Sequence, residues 1–82
     1  MNIYFKEIVN ESLRTVLEMK ACRDSLLLLP QAGDIVDFET DEGKTVALFK
    51  VLSRAYSFDS VTGDLQQIRI VMEREALPQT LS

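Results

Sequence analysis

Five carboxylates crowd one short stretch of this chain: Asp34, Asp37, Glu39, Asp41 and Glu42, with no basic residue among them. Hard cations such as Ca²⁺ are held by clustered oxygen ligands, so this is the first place to look for a metal site. The spacing is not that of an EF-hand loop, and along a strand only alternate side chains share a face. The better reading is a solvated edge strand whose charges discourage pairing with other chains. Asp59 and Asp64 have the composition of an acid–base pair. The residues between them, Ser60-Val61-Thr62-Gly63, are turn formers, and the spacing is that of a hairpin loop. Cys22 is the one cysteine, and it would be reactive if exposed beside Lys20 or Arg23. Next to Ala21 and close to a leucine run, it reads as a small buried hydrophobe. No catalytic residue, metal ligand or cofactor-binding residue is assigned.

Histidine is absent altogether. That removes Ser–His and Cys–His nucleophilic systems and the usual general base near neutral pH. Gly33 stands alone, without the Lys and Ser/Thr that follow the last glycine of a phosphate-binding loop. The expectation is a protein that is not an enzyme and carries no cofactor. A small enzyme working with carboxylates alone is the remotest alternative.

Binding chemistry has more to work with. Net charge is −4, from 13 acidic and 9 basic residues, and no two basic residues adjoin. Phosphate neutralisation by Lys and Arg is what binds duplex nucleic acid, so the field of this chain disfavours that partner. Single strands can instead stack on aromatic side chains. Tyr4, Arg54, Tyr56 and Arg69 form the candidate binding face on that argument, with a half-buried sheet periphery as the plainer reading.

At 82 residues and 9.3 kDa there is material for one domain. Residues 1–76 are expected to form it, with 77–82 a frayed tail. The start of the chain lacks the pattern of a signal peptide. No apolar run approaches the roughly 18 residues that span a bilayer. A cytoplasmic protein with no membrane association is therefore expected.

The elements that must position these residues are mostly strands. Asp34–Glu39 is a short strand, with Asp41-Glu42-Gly43-Lys44 turning it into the long apolar segment Val46–Phe58. That segment needs a bend or bulge near Leu52 to Arg54, with Phe49 and Val51 facing inward. After the Asp59–Asp64 turn, Ile68, Ile70 and Met72 lie on one face against Gln67, Arg69 and Glu73, with Val71 the one misfit, to close a hairpin. In the N-terminal third, Ile3-Tyr4-Phe5 is β-like and Asn10-Glu11-Ser12 suits a hairpin connection. Residues 10–22 fit two periods. A strand puts Leu13, Thr15, Leu17, Met19 and Ala21 on one face with Val16 out of place, whereas a helix leaves Met19 off its stripe. The strand is preferred, and a single short helix, there or at 24–29, is the alternative.

From Leu29 onward the chain resembles small SH3-like β-barrels found in short proteins of bacteria, phages and mobile elements. The carriers are Pro30, Gly33, Asp34 and Val36 in a P-x-x-G-D-x-V arrangement, then Gly43, Phe49-Lys50-Val51 with Tyr56, and Ile68 with Ile70. The resemblance implies a small, mainly β, antiparallel barrel of about five strands and carries no functional residue. Expected function is protein–protein contact, through a partner or self-association, as an accessory or oligomerising protein. A single-stranded nucleic-acid module is the alternative.

Overall fold

The computed structural model describes residues 1–20 and 29–76. Five strands form one curled sheet: β1 (Asn2–Val9), β2 (Ser12–Lys20), β3 (Ile35–Glu39), β4 (Thr45–Phe58) and β5 (Leu65–Glu75). Their spatial order is β2-β1-β5-β4-β3, and the curl makes a half-barrel. The described residues contain no helix, and so none long and apolar enough to cross a membrane. The described part of the N-terminal third, residues 1–20, is two strands rather than a helix. Cys22, residues 24–28 of the alternative helix and the tail 77–82 lie outside the described residues, while Leu29 packs against the core.

The expected β3-β4-β5 meander is present, and each of its turns has a local cause. Gly33, at φ 94°, lets the chain double back so that Asp34 Oδ2 accepts from the Gln31 amide at 2.7 Å. Thr40 and Lys44 close the next turn through Thr40 N–H to the Lys44 carbonyl at 2.8 Å. β4 carries the anticipated bulge. Val51 pairs with Met72 and Ser53 with Val71, so Leu52 is the extra residue.

One pairing departs from an all-antiparallel barrel. β1 inserts between β2 and β5 and runs parallel to β5, with Ile3 beside Ile68 and Phe5 beside Ile70. The period-2 pattern of a half-buried strand specifies which face is apolar. It does not specify a strand's neighbour or its direction.

β1 and β2 are joined by Asn10 and Glu11, both left-handed at φ 49° and 67°. Two positive φ values define the tight hairpin turn whose twist matches that of the flanking strands. Asparagine tolerates this region, whereas for glutamate it costs about 1–2 kcal/mol. Further along, Phe5 pairs with Leu17 and Lys6 with Thr15, so Val16 is a bulge. The bulge reassigns the faces of β2. Leu17 and Met19 lie on the concave side with Phe5 and Ile3, while Leu13 and Thr15 lie on the convex side. The single stripe expected from Leu13 to Met19 is therefore broken at Val16, the residue that fitted the alternation least.

Strand-paired residues share a face, so the concave side reads as rows across the sheet. Met19, Ile3, Ile68 and Tyr56 form one row, and Leu17, Phe5, Ile70 and Arg54 the next. Arg14, Glu7, Met72 and Val51 form a third. Ile3, Phe49, Val51, Ile68, Ile70 and Met72 are fully buried. Phe38 of β3 meets Phe5 of β1 with ring centroids 6.2 Å apart in a T-shape, and Phe49 at 5.3 Å. In the sheet β1 and β3 are separated by β5 and β4, so this contact closes the curl.

Candidate functional site

The four residues of the expected binding face do not share a face. Arg69 pairs with Tyr4 across β1 and β5, and both belong to the convex side. There Lys6 Nζ lies 5.8 Å from the centre of the Tyr4 ring. Arg54 and Tyr56 pair with Ile70 and Ile68, which puts them at the concave side, with the Arg54 guanidinium 5.8 Å from the Tyr56 ring centre. The bulge at Leu52 is responsible, because it shifts the phase of β4 by one residue. The result is two separate cation–π pairs on opposite sides of the sheet.

The acidic stretch disperses in the same way. Asp34 caps its turn, and Asp37 accepts a hydrogen bond from Thr45 Oγ1 at 3.2 Å. Among the described residues no group of three metal-ligating side chains comes together. Asp59 is taken up by its own hairpin. Its Oδ1 accepts from the Val61 and Thr62 amides at 2.7 and 2.9 Å, and Oδ2 accepts from Gln66 Nε2 at 3.2 Å. The Thr62 and Val61 amides hold the carboxyl below its ordinary value of 3.8. This turn projects Val61 into solvent at 91% exposure.

One polar centre was missed by reasoning on motifs. Glu7 sits in the concave row between Arg14 and Met72 with only 4% exposure, the one buried charged residue described. Arg14 Nη2 donates to its Oε1 at 2.8 Å, and Arg74 Nε donates to Oε2 at 2.9 Å. A second Arg74 donor reaches Oε1 at 3.3 Å, and the Arg74 guanidinium lies 4.9 Å from the Phe49 ring centre. The Arg74 hydrogen bond, above all, holds the Glu7 carboxyl below its ordinary value of 4.5, against the opposing effect of burial. Glu7 in turn raises Arg74 above its own ordinary value. Three hydrogen bonds from two cations take up three of the carboxylate's about four lone-pair sites and oppose its taking a proton as a general base. The signal was available. Glu7 continues the inward phase of Ile3 and Phe5, and Arg74 that of Ile68, Ile70 and Met72.

The remaining feature is the edge at β2. Leu17 and Met19 are each 41% exposed although they stand directly beside buried Phe5 and Ile3. Among the described residues, nothing caps the concave apolar rows where they run out to the edge of the sheet. No protein-family model, curated protein or solved structure matches this chain.

Proposed function

We propose that this protein is a non-enzymatic binding module that makes protein–protein contacts along the outer edge of β2. The observation that carries this reading is the pair Leu17 and Met19, exposed at the end of rows whose inner members are buried. A strand presented by a partner would meet main-chain groups that no other described strand pairs, and would extend those rows in one step. The assignment as non-enzymatic is supported by the engagement of Glu7 and Asp59, the two carboxylates held most firmly, in structural hydrogen bonds. An SH3-like kinship and a cytoplasmic accessory role in a bacterium, phage or mobile element belong to the same proposal. They are supported by the five curled strands and by the residues quoted from Pro30 to Ile70.

The test is a comparison of wild-type protein with Leu17→Glu, which puts a charge on the concave side of the edge. Native mass spectrometry and chemical cross-linking should reveal an assembly with wild type that Leu17→Glu loses while keeping its circular dichroism. An assembly equally populated by both proteins would place the contact elsewhere and defeat the reading.

The Arg54–Tyr56 stack favours a second reading, a single-stranded nucleic-acid module. Labelled oligonucleotides titrated at low salt decide it. Saturable binding weakened by Tyr56→Ala would support it, and no binding would dispose of it.

A further inference from the structure

The β2 edge bears on which partner it takes, and we infer that it is a second copy of the same chain, paired antiparallel through β2. This rests on the proposed function and makes it specific. Antiparallel pairing of two identical edges about a two-fold axis keeps concave residues opposite concave residues. The bulge makes that condition selective. Concave positions along β2 are Arg14, Val16, Leu17 and Met19, with Val16 placed there by its packing against the core. Convex positions are Leu13, Thr15, Glu18 and Lys20.

Setting Val16 opposite the other copy's Leu17 satisfies every pair. Arg14 then faces Met19, Thr15 faces Glu18 and Leu13 faces Lys20, so both faces match and no like charges oppose. Sliding by one residue destroys the match. With Val16 opposite Val16, Arg14 of the concave side meets Glu18 of the convex side. With Leu17 opposite Leu17, Arg14 meets Lys20, a like-charge pair of mismatched faces. Of the registers that pair more than three residues of β2, only this one matches both faces without opposing like charges. In it, Val16 and Leu17 of both copies form one apolar cluster joining the two cores.

A register in which no residue meets its own copy has a distinctive readout. Opposed residues of an antiparallel pair lie about 4.5–5.5 Å apart, within disulfide reach. Thr15→Cys and Glu18→Cys are made separately in a Cys22→Ser background of the full chain. Under oxidation neither should cross-link with itself, whereas an equimolar mixture should give the Thr15→Cys to Glu18→Cys heterodimer. Light scattering of wild type should show a dimer that Leu17→Glu converts to a folded monomer. Self-cross-linking of either cysteine variant, or a wild-type monomer across the concentration series, overturns the inference. If that monomer still joins a different protein through an assembly that Leu17→Glu abolishes, the proposed function survives without it. A monomer with no such assembly ends both.

Discussion

The two edges of this sheet are built by opposite rules. β3 is five residues long, follows Pro30 and carries Asp37 and Glu39. It is fastened from within by Phe38, whose ring meets both Phe5 and Phe49. β2 is nine residues long and holds no proline. Its fastening is ionic, through Arg14 on Glu7, and its Leu17 and Met19 stay half in solvent. β2 also carries charges, Arg14, Glu18 and Lys20, so length is what sets the two edges apart: short edges resist strand addition, and long edges with apolar flanks invite it. On the proposed reading, the contrast separates an edge made for stability from one left available for contact.

The largest effect that would sharpen this contrast lies at β3. Phe38→Ala removes the ring that closes the curl, and urea denaturation should show a loss of about 3 kcal/mol, the low end for phenylalanine because the ring is half-buried. Glu7→Gln is expected next. It leaves two guanidiniums without their carboxylate, and the melting temperature at pH 7 should fall by several degrees. The folded-state value of Glu7 lies below 4.5, so its contribution is complete above that pH and fades as pH drops through the lowered value. Melting curves of wild type and Glu7→Gln should therefore converge in acid, and a gap that widens there would refute the ionic fastening of β2. Glu11→Gly relieves a left-handed glutamate and should stabilise by about 1 kcal/mol in the same denaturation assay. The smallest effect is reserved for Leu17→Ala. At a half-exposed site the folded monomer should lose under about 1 kcal/mol, while association through β2 weakens visibly in sedimentation. A large loss in the monomer would mean that Leu17 is ordinary core and erase the difference between the edges.

Much of this was legible beforehand. The inward set Phe5, Phe49, Val51, Ile68, Ile70 and Met72 follows from period-2 alternation alone, and the break at Leu52 follows from a segment too long for one flat strand. Turns at Gly33, Gly43 and Asp59–Asp64 were marked by residues that permit positive φ or bond their own backbone. What escaped was relational. The parallel partnership of β1 with β5 leaves no mark within either strand. The face of Arg14 depended on a bulge that a single misfit, Val16, signalled without locating. The candidate face Tyr4, Arg54, Tyr56 and Arg69 was divided by the β4 bulge, since one inserted residue reverses every side chain beyond it. Glu7 was overlooked because it belongs to no motif, though a lone acid in apolar phase is a signal in its own right.

The β1–β5 pairing carries a consequence for the order of assembly. Chains are synthesised from the N-terminus, and the first hairpin, with Ile3 and Phe5 on one side, emerges long before Ile68 and Ile70 exist to cover it. The meander can form among its own neighbours, yet the seam beside β1 must wait for the last strand. Closing that seam across most of the chain is the slow, high-separation step, and refolding should be limited there. Until then the first hairpin presents two open edges, one on either side of it. A nascent chain that meets its twin during that interval has a second way to satisfy β1, by borrowing the other molecule's final strand. Strand exchange is thus the characteristic misassembly this topology has to outrun.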